Sequence, residues 1–120
     1  MRTFIRWILF ITLLIFGLFY LNSAVFSYWV SFGPPTDYPK AWVQRSLFHF
    51  GYGAGLIILS VIEFIALQQN RKAKKLKTII VLVVIALIVV LAPYGRKFIL
   101  IDSCLDSGGR WNSDLFQCEK

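Results

Sequence analysis

The residue types that do chemistry are scarce in this chain, so their positions carry the argument. Among 120 residues there is one histidine, His49, and there are two cysteines, Cys104 and Cys118. Two cysteines with no histidine near them do not complete a zinc shell, and no metal site is expected. Nor is there a phosphate-cradling glycine loop or a carboxylate pair, and catalysis needs positioned nucleophiles, bases or metal ligands. The expectation is a protein that is not an enzyme and holds no cofactor. The cysteines have a structural use instead. They enclose thirteen residues, and closing a loop of that size is worth about 3 kcal/mol on chain-entropy grounds. The segment around them, IDSCLDSGGRWNSDLFQCEK (101–120), is polar and too short to build a core, so it needs such a staple.

What must position that segment is oily. The hydrophobic fraction is 58%, above the roughly 45–50% of ordinary globular domains. The apolar residues form three blocks, each near the length of about 20 residues that a bilayer core requires. The sequence therefore reads as an all-α integral membrane protein. A transmembrane domain over 1–100 has spans at about 5–28, 47–69 and 78–97, and a small disulfide-closed extracytoplasmic tail occupies 101–120. In the first block, Asn22, Ser23 and Ser27 mixed with Phe26, Tyr28 and Trp29 suggest the far membrane interface. A cleaved signal peptide ending near Ala24 is the rival reading. Asn22 suits that cleavage poorly and apolar sequence continues past it, so the span is expected to stay. Three prolines and a glycine in SFGPPTDYPKAWVQRS (31–46) read as a loop. The run 78–92 before Pro93 covers only about 22 Å as a helix, so α-structure should continue somewhat past Pro93, or Lys77 should snorkel. FILI (98–101) could be a last helical turn or a short strand leading into the tail.

The formal charge of +7 raises nucleic acid as a partner, but the distribution argues against it. A nucleic-acid binder groups its cations on a folded polar face, whereas five of the thirteen here sit in NRKAKKLK (70–77), between two apolar blocks. That is where cytoplasmic loops collect Lys and Arg. Arg2, Arg6, Arg71, Lys72, Lys74, Lys75 and Lys77 share one side of a three-span layout with no acid. Lys40, Arg45, Arg96, Lys97, Arg110 and Lys120 share the other, with Asp37, Asp102, Asp106, Asp114 and Glu119. The expected topology is a cytoplasmic amino terminus and a periplasmic tail in a bacterial inner membrane. Disulfides persist on that outer side, which favours a staple over two free thiols in a disordered tail.

Inside the spans, Glu63 is the one acid, and an ionisable group at such a depth is a functional candidate by default. It lies near the cytoplasmic end, where Lys74 or lipid headgroups are within reach. At helical spacing His49, Tyr52, Gly53, Ser60 and Glu63 share a face, expected to point at protein or water. A lone histidine at the outer end more often serves as an interfacial side chain than as a switch. Gly51 and Gly55 form a GxxxG on another face, which lets a second helix approach closely. The middle span is thus expected to pack on both neighbours, or on one neighbour and a partner.

In the tail, SCLDSGG reads as a helical turn stopped by Gly108–Gly109, and RW can pair with QCE around the turn residues NSDLF. Trp111 and Leu105 are expected to form the hydrophobic cluster, packed on the disulfide or on the membrane surface. Asp106, Arg110 and Asp114 would stay exposed for a partner, with Trp111 beside them. The pattern Asp102-x-Cys104-Leu105-Asp106-x-Gly108-Gly109-x-Trp111, with Cys118 further on, resembles a tail of small proteobacterial envelope proteins, some similar to immunity proteins against toxins delivered by sibling cells. The resemblance covers 102–118 only. The three-span layout is also similar to that of some immunity proteins against pore-forming colicins, an analogy of architecture. Together these imply a binding protein that neutralises a toxin acting at or in the inner membrane, through Asp106, Arg110 and Trp111 outside and the Glu63 stripe within. The alternative is an accessory subunit of a larger membrane complex, with a holin-like pore behind it.

Overall fold

A computed structural model describes residues 1–33, 39–68 and 73–119, with backbone only for Ala73 and Lys74. Pro34, Pro35, Asp37, Tyr38, Gln69, Arg71, Lys72, the Lys74 side chain and Lys120, used in the topology argument, lie outside it. Three helices run up, down and up: α1 (Arg2–Phe32), α2 (Pro39–Ala66) and α3 (Ala73–Asp106). A two-stranded hairpin follows, β1 (Arg110–Asn112) and β2 (Gln117–Glu119). All three helices are long and apolar enough to cross a membrane.

The helices are longer than the expected spans, for local reasons. The stretch 31–46 was expected to be loop, but α2 already begins at Pro39. Proline suits a first helical turn, where its missing N–H leaves nothing unpaired and its fixed φ is already helical. At the other end, residues 101–106 belong to α3 and not to a separate tail. Neither a break nor a strand intervenes at FILI, and α3 runs through Pro93 for 34 residues. At 1.5 Å per residue that is about 51 Å, so roughly 20 Å of it exceeds a bilayer core.

The neighbouring helix α2 explains how α3 tolerates its proline. Pro93 has no N–H to give the Val89 carbonyl, and in a helix interior that loss usually costs about 3 kcal/mol. Here α2 covers the exposed oxygen. Gly51 lies against it so closely that a Cβ at Gly51 would stand 2.9 Å from Val89 O and 3.5 Å from Pro93 Cγ. One turn on, Gly55 meets Val90, whose Cγ2 would be 2.7 Å from an added Cβ. Both glycines of the GxxxG therefore face α3. Nearer the head, Gln44 Nε2 donates to Pro93 O at 3.0 Å, and Arg96 donates to Gln44 Oε1.

The opposite face of α2 meets α1. Gly17 and Gly53 cross there: a Cβ at Gly53 would lie 2.8 Å from Gly17 O, and one at Gly17 would lie 3.0 Å from Gly53 O. With α2 between the other two, the molecule is a layer measuring 58 × 32 × 17 Å, little thicker than a single helix with its side chains. Its core is correspondingly small. Among the described residues Ala24, Cys104 and Phe116 are the buried hydrophobic ones, while Phe19, Ile15, Ile88 and Leu91 are among the many large apolar side chains exposed. Such a surface matches hydrocarbon and not water.

The close approach predicts a contrast between glycines. Gly53→Val must push apart two backbones and should cost about 1–3 kcal/mol, the usual penalty of overpacking. Gly95→Ala, at a helical position with nothing within 4 Å of the new Cβ, should be neutral or stabilising. Thermal unfolding of the detergent-solubilised protein measures both.

Candidate functional site

The polar residues gather in two places: a seam between α1 and α2, and the head at the end of α3. The seam starts near the amino terminus. Both carboxylate oxygens of Glu63 are buried without a hydrogen-bond partner among the described residues, as is Arg6 Nε. Arg6 of α1 is a cation that acts on Glu63; the Lys74 side chain, a candidate partner from sequence, lies outside the described residues. The Arg6 guanidinium lies 4.0 Å over the Phe64 ring, a cation–π arrangement that holds the charge against the helix pair. Trp7 and Phe10 pack on the same ring, with centroids 5.1 Å from it in each case.

Further along, Ser60 is fully buried and its hydroxyl donates to Ile57 O of its own helix at 2.6 Å. Beyond the glycine crossing, Tyr20 sets its ring edge-on to both His49 and Tyr52. The Tyr52 hydroxyl meets that of Tyr94 on α3, so this side chain bridges both interfaces. His49 Nδ1 and Ser23 Oγ are 2.6 Å apart, and Ser46 Oγ donates to Ala24 O at 2.8 Å. A serine–histidine pair raises nucleophilic attack as a chemistry. A third group must orient such a base, and donors must await an oxyanion. Glu63, the acid of α2, is about 21 Å away along the helix, and the surrounding backbone N–H groups serve the helices. In this geometry the pair ties α1 to α2.

Of the predicted stripe, His49, Gly53 and Glu63 meet α1, Tyr52 touches both neighbours, and Ser60 is buried and bonded within α2. Sequence reading missed the stripe's counterpart, although the signal was present. Gly17, Tyr20, Ala24 and Ser27 recur at three- and four-residue intervals along α1, a stripe of helical period in which three of the four are small. Gln44 was missed similarly; it lies one heptad before Gly51, on the face that meets α3.

The head grows directly from α3. The Gly109 N–H donates to Cys104 O at 3.0 Å and the Gly108 N–H to Leu105 O at 3.1 Å, the paired bonds of a Schellman end. Gly108 takes a φ of +79° there, which costs glycine little. Gly109 has a different reason to be glycine: the Cys104 and Cys118 sulfurs fill the space a Cβ would need. The two cysteines are joined, with Cα atoms 5.5 Å apart. Strands β1 and β2 pair antiparallel with Trp111 opposite Cys118 and Arg110 opposite Glu119. Asn112 Oδ1 shapes the turn by accepting the N–H groups of Asp114 and Leu115 at 3.0 and 3.1 Å.

One expectation for the head is corrected. Leu105 does not cluster with Trp111; it is 60% exposed, because the helix end turns it outward. Phe116 takes that place, buried with its ring centroid 5.1 Å from Trp111 in an edge-to-face contact. Phe116 holds a left-handed φ of 52°, a backbone cost that burying the ring against Trp111 offsets. Asp106, Arg110 and Asp114 are exposed. Trp111 instead lines a cleft of about 370 Å³ between the head and the helix layer, shared with Lys40, Arg96, Ser103, Ser107 and Gln117.

The head's order should depend on Phe116 and the disulfide and not on Leu105. Phe116→Ala and Cys104→Ser should each raise amide hydrogen exchange across 110–119 by tenfold or more, while Leu105→Ala leaves it unchanged. Exchange mass spectrometry with the disulfide intact reads the first and third variants directly.

Comparison with known protein families, characterised proteins and solved structures finds no match to this chain.

Proposed function

We propose that this protein sits in a bacterial inner membrane with its amino terminus in the cytoplasm and its head in the periplasm, and that it acts by binding another protein. The apolar exterior of the three helices supports insertion. The basic, acid-free run NRKAKKLK in the sequence between the apolar stretches of α2 and α3 supports the orientation, as does a disulfide at the other end of α3, since such bonds persist in oxidising compartments. The observation that carries the binding reading is the mounting of the head. A helix unbroken from Ala73 to Asp106 ends in a glycine cap, a disulfide and a hairpin, so Asp106, Arg110 and Asp114 are presented on a rigid frame. A rigid frame loses little entropy on binding.

The specific form of the proposal is an immunity protein that neutralises a toxin acting at or in the inner membrane. Recognition on this reading belongs to the head and the outer ends of the helices, because His49 and Glu63 are engaged with α1 and Ser60 is buried and bonded to its own helix. A second reading, an accessory subunit of a larger membrane complex, is favoured by one feature. A groove of about 510 Å³, lined by Tyr20 of α1, Leu59 of α2 and Val83 and Val90 of α3 among others, opens on one face of the layer. A flat layer with such a groove could be completed laterally by a resident membrane protein.

Competition on a surface where cells touch separates the two. A deletion strain should die beside its parent and survive alone. The intact gene should rescue it, and Cys104→Ser should rescue poorly. Equal fitness of the deletion strain in contact and alone would remove the immunity reading, and co-purification with a resident complex would support the second.

A further inference from the structure

The cleft beneath the head has a composition that the proposed binding role does not use. Six polar side chains line it: Lys40, Arg96, Ser103, Ser107, Trp111 and Gln117. All six carry a donor group, although the Ser107 hydroxyl already gives its proton to Cys104 O at 2.9 Å; two are cationic, and no carboxylate is among the lining residues. Trp111 Nε1 is buried and has no acceptor among the described residues. An indole N–H can only donate, and leaving one buried and unpaired is costly. Arg96 spends one nitrogen on Gln44 Oε1, which fixes the guanidinium at the cleft while its other N–H groups stay available. The remaining walls, Leu100, Phe116 and the disulfide, are apolar.

From this we infer that the cleft binds the phosphate headgroup of an anionic phospholipid in the outer leaflet. The inference rests on the membrane orientation proposed above. A run of about 20 residues from Lys77 crosses a bilayer core and ends at Arg96 and Lys97, which puts the cleft at headgroup level. Arg96, Leu100, Ser103 and Ser107 recur at intervals of four and three on one face of α3, so the cleft faces along the helix from charge to hydroxyl. A planar guanidinium matches a phosphate bidentately, Lys40 adds a point charge, and the Trp111 N–H completes the donor set. An anionic headgroup is already held in that plane, whereas a soluble anion or an acidic peptide would have to enter it. Bound lipid would clamp the head to α2 and α3 and fix the direction in which Asp106, Arg110 and Asp114 point.

The test uses the full chain, disulfide intact, in a non-ionic detergent micelle with its tryptophan indoles labelled with ¹⁵N. Trp111→Phe assigns the Trp111 N–H signal. Short-chain phosphatidylglycerol should shift that signal saturably, and phosphatidylcholine of the same chain length should not. Lys40→Gln and Arg96→Lys should each weaken the apparent affinity about tenfold, the loss of one charge-assisted bond. A Trp111 signal unmoved by phosphatidylglycerol, or moved equally by phosphatidylcholine, would overturn the inference. So would a shift with inorganic phosphate or a glutamate-rich peptide where the lipid gives none, assigning the cleft to a soluble occupant. Extraction of the protein from membranes by alkaline carbonate is a separate readout: release would sink the membrane reading itself, while retention with a silent Trp111 would sink the lipid site alone.

Discussion

A single carbonyl, that of Val89, decides whether the head is a rigid extension of the helix layer or a loose appendage. Pro93 removes the donor this oxygen would have had, in the middle of the helix that carries Cys104. The compensation comes from α2, whose Gly51 has no side chain to keep the backbones apart and whose Gln44 ties Pro93 O and Arg96 together. The backbone of α2 at Gly51 thus covers the unpaired oxygen that would otherwise lie on an apolar exterior. The helix therefore continues for about three further turns to its Schellman end, and the hairpin and disulfide are built on that end.

Middle helix α2 does this while also holding α1, and both faces combine steric fit with polar ties. Towards α3 the middle of the contact is steric, Gly51 and Gly55 against Val89 and Val90, with Gln44, Arg96 and the Tyr52–Tyr94 hydroxyl pair adding polar ties. Towards α1 it is likewise mixed: a glycine crossing in the middle, then hydroxyls, a histidine and tyrosines towards the head, and a buried acid with an arginine at the other end. In hydrocarbon, helices gain little by hiding apolar surface from each other, so close packing and interhelical hydrogen bonds must supply the association. Ser46 to Ala24 O and Ser23 to His49 are bonds of that kind. At the other end of this interface both Glu63 carboxylate oxygens and Arg6 Nε are buried without a hydrogen-bond partner among the described residues, and the Arg6 guanidinium rests on the Phe64 ring.

Three helices of the right length, the paired cysteines and the tail hairpin were legible because each rests on local information: apolar run length, loop closure, turn residues. Helix ends were not. Pro39 looks like a breaker within a proline-rich stretch, yet it opens α2, and only the position of a proline within its helix separates those roles. In the same way, IDSCLD reads as polar tail, but continuing α3 costs nothing until Gly108 ends it. The choice of Phe116 over Leu105 as the partner of Trp111 was hidden because it depends on a left-handed residue and on where a helix end points. The α1 stripe from Gly17 to Ser27 was readable in principle. It was overlooked because tyrosine and serine near a presumed interface had a sufficient explanation already.

The central claim is that this layer holds a stapled head on the far side of the membrane from the amino terminus. A membrane-impermeant maleimide, applied to intact spheroplasts after brief reduction with an impermeant phosphine, tests it. The account predicts that Cys104 and Cys118 label without lysis. A cysteine placed at Thr3 in a chain lacking both native cysteines should label only after the membrane is opened. Labelling of the Thr3 position from outside, with Cys104 and Cys118 protected until lysis, would contradict the orientation and with it the functional reading.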